Sequence, residues 1–208
     1  MRRIVLVRHG ETPWNTERRL QGQRDIGLSP AGLAQVERLA PFVQAHAPDL
    51  VVSSPLLRCR QTADALGVTP HRFDGAWKEA DLGLWTGRTR AELVAAGDGA
   101  YARWRSGAQS PPQGESLEHL EERVGAALAH LRTVEAETVL VLTHGGPVRA
   151  AVRLLLGLPR GRVVPVAPAT LTAFDVAGEH ARLEAYNLRP EIVPTDGPAG
   201  GPEADPPD

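Results

Sequence analysis

The chain has 208 residues, of which 42% are hydrophobic and 23% charged, and its formal net charge is −2. These values are ordinary for a globular protein, and they predict one domain with enough chain to bury a core. The charge balance provides no broad basic field for nucleic acid, and no apolar stretch approaches the ~20 residues needed to span a membrane. We therefore expect a cytoplasmic protein with no nucleic-acid partner and no membrane partner.

The first predicted strand is the apolar run from Ile4 to Val7, and it ends abruptly in Arg8-His9-Gly10. Arginine offers a planar fork of donors suited to phosphate, and histidine can act as a nucleophile or proton carrier near neutral pH. Ligands of α/β sheets bind beyond the carboxyl ends of the strands. The stretch predicts an anion pocket that contains His9, although these residues alone leave open a simple turn with a solvated arginine and histidine.

Helices and strands alternate after this motif. Ser29-Pro30 is typical of a helix start, because serine caps free amides and proline suits the first helical position. The face of this helix predicted to pack on the sheet consists of Leu33, Val36, Ala40 and Val43. Ser54-Pro55 repeats the same device after a predicted strand over 49–53. Less regular predictions are a short helix over 14–20, a loop over 21–25 and a third strand over 68–73.

The second half begins with residues 74–115, which are rich in Gly, Pro and Trp and predict a long loop with short helices near 90–96 and 101–105. Long irregular segments in a compact domain are often lids or pocket walls. The later predicted elements are an amphipathic helix after Ser116, a strand over 138–143, a helix from Pro147 to Gly157 and a hairpin around Gly178. Residues 189–208, rich in Pro, Gly and acidic residues, are predicted to be a disordered tail.

This alternation predicts an α/β fold over a single domain of residues 1–188. We expect a three-layer α/β/α sandwich with a mainly parallel sheet and an antiparallel edge formed by the hairpin. Arg8-His9, Arg58 and His144 each follow a predicted strand, so they should meet at one edge of the sheet, together with helix N-termini. Taken singly, Arg58 and His144 would be a solvated arginine and a core histidine. Their recurrence at strand ends instead predicts a pocket for a doubly charged phosphate.

Four ordered motifs extend this pattern. They are Arg8-His9-Gly10-Glu11-Thr12 with Trp14-Asn15; Ser53-Ser54-Pro55 to Arg58 with Gln61-Thr62-Ala63; Glu79 to Gly87 with Gly83 and Trp85; and Thr143-His144-Gly145-Gly146. Together they resemble the histidine phosphatase superfamily, which includes the cofactor-dependent phosphoglycerate mutases. The resemblance covers residues 3–188 and implies a phosphoglycerate mutase-like fold. An Arg-His-Gly triplet alone would be weak, whereas four motifs in order are specific.

The resemblance also implies roles for individual residues. His9 would accept the phosphoryl group, and Glu79 would protonate the leaving alkoxide and then activate water. The phosphate oxygens would be held by Arg8, Arg58 and His144, with further pocket contacts from Asn15, Gln21, Gly22 and Gly145. Asp81 and Glu11 remain alternatives to Glu79, and a plain turn remains an alternative for Gln21-Gly22. A covalent phosphohistidine would divide one difficult step into two easier ones.

The short region after the Glu79 motif resembles the phosphatase branch of the family. The implied activity is hydrolysis of a small phosphorylated metabolite, such as a phosphoglycerate-type ester, a sugar phosphate or α-ribazole phosphate. A cofactor-dependent phosphoglycerate mutase and a non-catalytic phospho-ligand-binding protein are the alternatives. We expect no cofactor and no metal, because the remaining histidines lack metal-ligand spacing. Cys59 is expected to be a buried thiol and Trp85 to face the pocket. A homodimer is compatible with the sequence, which does not determine the oligomeric state.

Overall fold

A computed structural model describes residues 2–190. Of the tail predicted over residues 189–208, residues 191–208 lie outside this range. The strands are β1 (Arg2–Arg8), β2 (Leu50–Ser53), β3 (Arg72–Phe73), β4 (Thr138–Thr143), β5 (Thr170–Ala177) and β6 (His180–Leu188). The helices are α1 (Pro13–Thr16), α2 (Pro30–Gln44), α3 (Leu57–Leu66), α4 (Arg90–Ala95), α5 (Ala100–Ser106), α6 (Leu117–Leu131) and α7 (Gly145–Leu156).

The six strands form one sheet in the order β3-β2-β4-β1-β5-β6. β4 pairs in parallel with both β1 and β2, β2 also pairs in parallel with β3, and β5 and β6 complete the sheet as an antiparallel edge. Arg8 lies opposite Thr143, and Ser53 lies opposite Leu142. The carboxyl ends of β1, β2 and β4 therefore coincide at one edge, as the alternation of strands and helices predicted.

The central strands are buried on both faces. Along β1, Ile4 and Leu6 contribute to a core that includes residues of α6 and α7, whereas Val5 and Val7 contribute to a core that includes residues of α2 and α3. Successive side chains of a strand point to opposite faces, so helices must cover both sides of the sheet. The predicted α/β/α sandwich is thus confirmed.

Serine caps begin two of the predicted helices but not a third. The Ser29 hydroxyl accepts from the Gly32 amide at 3.0 Å, and the Ser116 hydroxyl accepts from the His119 amide at 3.1 Å. The prediction that Ser54-Pro55 begins a helix was wrong, since α3 begins at Leu57 and has no side-chain cap. The Ser54 hydroxyl instead lies 2.8 Å from a ring nitrogen of His144. A tertiary contact therefore overrides the local capping preference.

The buried face of α2 also differs from the predicted one. Leu33 is 39% exposed, and the buried residues of the helix are Gly32, Val36, Leu39 and Val43. A Cβ atom at position 32 would lie only 2.0 Å from the carbonyl oxygen of Glu11. Because glycine lets the helix approach the loop after β1 this closely, the face that contains Gly32 turns inward and Leu33 turns outward.

Smaller differences concern the bounds of elements. α1 ends at Thr16 rather than near residue 20, β3 has only two residues, and α7 begins at Gly145, two residues before the predicted start at Pro147. Within 74–115 the two predicted short helices are present as α4 and α5. Within residues 2–190, none of the helices has the length and apolar character that a membrane-spanning helix requires.

Candidate active site

A cavity of about 230 Å³ opens at the carboxyl ends of β1 and β4. The predicted site residues that line it are Arg8, His9, Asn15, Gln21, Gly22, Arg58, Glu79 and Gly145. His144 does not line this cavity. It lies fully buried behind His9, and the centroids of the two imidazole rings are 5.1 Å apart. The edge of the sheet therefore brings together residues that lie more than 130 positions apart in the sequence.

His9 is held in an orientation suited to a nucleophile. Its Nδ1 lies 2.7 Å from the carbonyl oxygen of Gly10, so Nδ1 carries the proton that it donates to this oxygen. Nε2 is then the unprotonated nitrogen, and it accepts from Arg58 Nε at 3.2 Å. Burial, followed by the charges of Arg58 and Arg8, holds the pKa of His9 well below its usual range. The imidazole is therefore neutral near pH 7.

Arg58 is a fully buried cation fixed by backbone carbonyls. Its Nη1 donates to the Arg24 carbonyl and its Nη2 to the Gly22 carbonyl, both at 2.8 Å. Its Nε lies within hydrogen-bond distance of His9 Nε2 and of His144 Nδ1, at 3.2 and 3.1 Å. Burial lowers its pKa. Two backbone carbonyls of the loop after α1 thus fix the guanidinium so that its Nε faces the two histidines.

Arg8 supplies a second cation next to His9. Its Nη1 donates to the carbonyl oxygen of Val166, while its buried Nε has no partner among the described residues. Burial lowers the pKa of Arg8 to about 10, so the side chain is still charged at neutral pH. An anion in the cavity would satisfy this donor, because guanidinium groups bind phosphate oxygens through several N–H groups at once.

His144 is fixed from behind by two neighbouring side chains. Its Nε2 lies 2.8 Å from Ser54 Oγ and 3.4 Å from Cys59 Sγ, and its Nδ1 faces Arg58. Burial and the charge of Arg58 hold its pKa well below the usual range. Cys59 is buried, as predicted, and burial raises its pKa to about 12, so the thiol is inert at neutral pH.

Glu79 lies at the N-terminus of α7. Its carboxylate accepts from the amide of Ala80 at 2.9 Å and from that of Gly146 at 3.1 and 3.2 Å. A Cβ atom at position 146 would lie 2.2 Å from Glu79 Oε1, so this contact requires glycine there. The two carboxylates that were alternatives to Glu79 as the proton donor do not line the cavity. Asp81 is exposed and accepts from the Gly83 amide, and Glu11 accepts from Ser29 Oγ.

The remaining predicted residues form the wall on the side of α1. Asn15 Oδ1 accepts from the amide of Thr12 at 3.0 Å, which leaves the Asn15 side-chain NH2 as its free donor. The Oε1 atom of Gln21 is buried without a partner among the described residues. Gly22 has a φ of +51°, a conformation that favours glycine, and its carbonyl accepts from Arg58.

Trp104 and Arg149 are among the cavity residues that were missed, and the prediction for Trp85 was wrong. Trp85 does not line the cavity; it is buried against Tyr101 and Trp104, and the tryptophan on the cavity wall is Trp104. Arg149 also lines the cavity. The i, i+4 spacing from Gly145 is a signal that places it on the same helix face. Residues 2–190 contain no cluster of three or more His, Cys, Asp or Glu side chains arranged to hold a metal ion.

The chain is similar to known proteins in both sequence and fold. The model of the histidine phosphatase superfamily (branch 1) matches residues 4–189. The chain is 37% identical over 171 residues to a glucosyl-3-phosphoglycerate phosphatase of Mycolicibacterium vanbaalenii, with 76% of each chain covered. It is 34% identical over 165 residues to a probable phosphoglycerate mutase GpmB of Salmonella arizonae, covering 76% of this chain and 77% of that one.

A solved structure of a mycobacterial glucosyl-3-phosphoglycerate phosphatase in complex with VO3 has the same fold. Its TM-score is 0.83 at 32% identity, over 90% of this chain and 99% of that one. These similarities confirm the predicted phosphoglycerate mutase-like fold and the predicted class of enzyme, a phosphatase. The chain belongs to branch 1 of the histidine phosphatase superfamily.

Proposed function

We propose that this protein hydrolyses small phosphate monoesters through a phosphohistidine on His9. The observation that carries the proposal is the orientation of the His9 ring, whose Nδ1 is engaged by the Gly10 carbonyl while Nε2 faces Arg58 in the cavity. A neutral imidazole whose unprotonated Nε2 faces the cavity is a competent nucleophile towards phosphorus once Arg58 turns its donor to the phosphate. Attack forms the N–P bond as the P–O bond to the leaving alkoxide breaks.

The cations around His9 support this role. Charge spreads over the equatorial oxygens of a phosphoryl group during transfer, so fixed donors supply most of the stabilisation. Arg58 Nε would exchange its contacts with the imidazoles for a phosphate oxygen, and Arg8 Nε would gain the partner that it lacks. The N-terminus of α7 at Gly145 adds partial positive charge on the same side.

Glu79 is the best-placed group to transfer protons in both half-reactions. In the first, its carboxyl would give a proton to the departing alkoxide, and in the second the carboxylate would take one from the water that attacks the phosphohistidine. Among Glu79, Asp81 and Glu11, only Glu79 lines the cavity. Because it hydrogen bonds to the α7 amide of Gly146, it is fixed on the leaving-group side of the pocket.

The substrate we propose is a small phosphorylated metabolite of the phosphoglycerate or sugar phosphate type, acted on in the cytoplasm. Two of the relatives described above carry names with glucosyl-3-phosphoglycerate or phosphoglycerate in them. A cavity of about 230 Å³ suits a ligand of this size. The polar wall of Asn15 and Gln21 offers both a donor and an acceptor for substrate oxygens.

The test is phosphate release from a set of phosphomonoesters without added metal or primer. The set contains 3-phosphoglycerate, glucosyl-3-phosphoglycerate, sugar phosphates, α-ribazole phosphate and nucleotides, and wild type is compared with His9→Ala. We expect release by wild type, concentrated on a few substrates, and none above background by the variant. Equal release by both proteins would refute the role of His9, and no release from any substrate would refute the hydrolase.

A mutase is the second candidate, because one relative is named a probable phosphoglycerate mutase. A mutase returns the phosphoryl group to a second hydroxyl instead of to water, and it needs a phosphorylated primer to start. Interconversion of 3- and 2-phosphoglycerate is therefore measured with and without 2,3-bisphosphoglycerate. Primer-dependent interconversion faster than phosphate release would favour the mutase over the hydrolase.

A further inference from the structure

The cavity at His9 continues into a second one of about 260 Å³, enclosed by α5, α6, α7 and the loop before β5. Both cavities are lined by Trp104, Arg105, Leu117, Leu120, Arg149 and Pro165. None of the residues assigned above to phosphoryl transfer reaches the second cavity. Because the two cavities adjoin at a neck formed by these shared residues, a substrate with its phosphate at His9 would direct its leaving group toward this space.

Two cations meet at the neck without an acidic partner. Arg149 is half-buried, and no hydrogen bond or ion pair engages it within residues 2–190. Burial lowers its pKa, and the charge of Arg105 lowers it further. Glu79 raises the pKa of Arg149, but this carboxylate is already bound to the Gly146 amide of α7. Like charges brought together in this way favour an anion that bridges them.

The arginines farther into the second cavity are different, since both are neutralised. Arg160 Nη2 pairs with Glu121 at 3.1 Å, Arg160 Nη1 pairs with Glu118 at 2.5 Å, and Arg153 also pairs with Glu121. The far end of the cavity therefore carries no net excess of positive charge from these groups. The excess is confined to Arg149 and Arg105 at the neck.

Trp104 adds a donor of a different kind. The residue is 8% exposed, its Nε1 has no hydrogen-bond partner in the described residues, and the side chain lines both cavities. A buried indole N–H normally finds an acceptor. Its neighbours on the cavity wall are the apolar side chains of Leu117 and Leu120. This surface suits an uncharged group that carries oxygen atoms.

We propose that Arg149, assisted by Arg105, determines specificity by binding a second anionic group on the leaving part of the substrate, with an uncharged extension beside Trp104. The inference deepens the proposed hydrolase and depends on it. The anion is a carboxylate or a second phosphate, because a guanidinium fork binds either in a bidentate manner. The reaction at phosphorus is unchanged, and Arg149 contacts only the leaving group.

The experiment measures kcat/KM on two pairs of substrates. The first pair is 3-phosphoglycerate and glycerol 3-phosphate, which differ by a carboxylate, and the second is fructose 1,6-bisphosphate and fructose 6-phosphate, which differ by a phosphate. We expect wild type to prefer the more anionic member of one pair, which identifies the source of the charge. Arg149→Met should reduce that preference by roughly ten- to hundredfold, mainly through KM, as expected when a charge-assisted hydrogen bond is lost.

Two further variants make the result specific. Arg149→Lys keeps the charge but loses the fork, so it should retain part of the preference. Arg162→Met removes an equal charge from an exposed residue beside the same cavity and should leave the preference unchanged. Thermal unfolding of each variant checks that it is folded.

The outcomes separate this inference from the proposed function. No preference in wild type, equal losses by Arg149→Met on both members of a pair, or the same loss in Arg162→Met would overturn the role of Arg149. Absence of turnover by wild type on all four esters would instead refute the hydrolase itself. Retained turnover in His9→Ala would refute its mechanism.

Discussion

The two ends of the active-site cavity are built in different ways. At the phosphate end, Arg58 is anchored by two backbone carbonyls and faces His9, and the ring of His9 is oriented by Gly10. At the leaving-group end, Arg149 and the indole N–H of Trp104 have no partners within residues 2–190. The nucleophile and Arg58 are therefore preorganised by the fold, with Arg8 Nε left for the phosphate, whereas recognition of the leaving group depends on donors that only a ligand would satisfy.

Replacement of Glu79, which lies between the phosphate end and the leaving-group end, has the largest expected effect on turnover. Glu79→Gln removes the proton donor, which is typically worth about 10²- to 10⁴-fold. We expect a loss in this range on glycerol 3-phosphate and a loss of about tenfold or less on 4-nitrophenyl phosphate, whose leaving group needs no proton. The measurement is steady-state kcat/KM on the two esters, which reports the first half-reaction and excludes the later hydrolysis of the phosphohistidine, where Glu79 acts as the base for both esters.

The matched control for Glu79 is Asp81→Asn. Asp81 is exposed and lies outside the cavity, and an asparagine oxygen can still accept from the Gly83 amide. This variant should retain wild-type turnover of both esters. Equal losses on both esters in Glu79→Gln would contradict the acid role, and a selective loss in Asp81→Asn would assign that role to Asp81.

Replacement of Arg58 tests the phosphate end of the cavity. Arg58→Met removes one fixed donor to the phosphoryl group, which corresponds to about 10²- to 10³-fold in kcat. Because every substrate presents the same phosphate, we expect the loss to be similar on all esters, unlike the selective loss in Arg149→Met. The measurement is kcat across the four esters named above.

Arg60→Met serves as the control for Arg58. Arg60 is an exposed arginine on the same helix, so its replacement removes an equal charge without altering the cavity. If Arg58→Met reduced kcat only for the substrates with a second anion, Arg58 would contribute to leaving-group recognition. That result would contradict the separate roles of Arg58 and Arg149.

Acidification tests the phosphate end without any substitution, and its expected effect is the smallest. Burial holds the pKa values of His9 and His144 well below the usual value near 6.5. Below pH 6.5 the unfolded chain therefore binds protons at these histidines, while the folded protein keeps them neutral. The stabilisation that this pKa difference gives to the folded protein is fully present above pH 6.5 and is lost as the pH falls below that value. Each imidazole contributes up to about 1.4 kcal/mol per pH unit to the free energy of unfolding.

Chemical denaturation between pH 7.5 and about 5 measures this slope. His144→Gln should show a shallower acid dependence than wild type, because one of the two buried imidazoles is absent. A free energy of unfolding that is flat below pH 6.5 in wild type would mean that the histidines are not buried as neutral groups.

The phosphate end was largely predictable from the sequence. Strands that end in Arg8-His9 and in His144 must bring these residues to one edge once β1 and β4 pair in parallel. The helix that carries Arg58 was also predicted, although its start was not. Local capping rules favour Ser54, but the contact between Ser54 and His144 depends on residues 90 positions apart, which local rules cannot include.

The leaving-group end was not predictable in the same way. Trp85 belongs to a recognisable motif and Trp104 does not. The packing of α5 against the preceding part of the 74–115 segment nevertheless buries Trp85 and brings Trp104 to the cavity. On α2, Val36 and Val43 are buried as predicted, but Leu33 is exposed for a related reason, since the close approach of Gly32 to the loop after β1 decides the rotation of the helix. Periodicity identifies helices, whereas close contacts between elements set their rotation.

The central claim is that a phosphoryl group resides on His9 during turnover. The direct measurement mixes wild-type enzyme with a phosphorus-labelled substrate, quenches the reaction in alkali within the first turnover, and maps the label by peptide mass spectrometry. We expect one acid-labile, alkali-stable phosphoryl group on the peptide that contains His9, with no label in His9→Ala. Turnover with no labelled peptide, or a label on another residue, would contradict it.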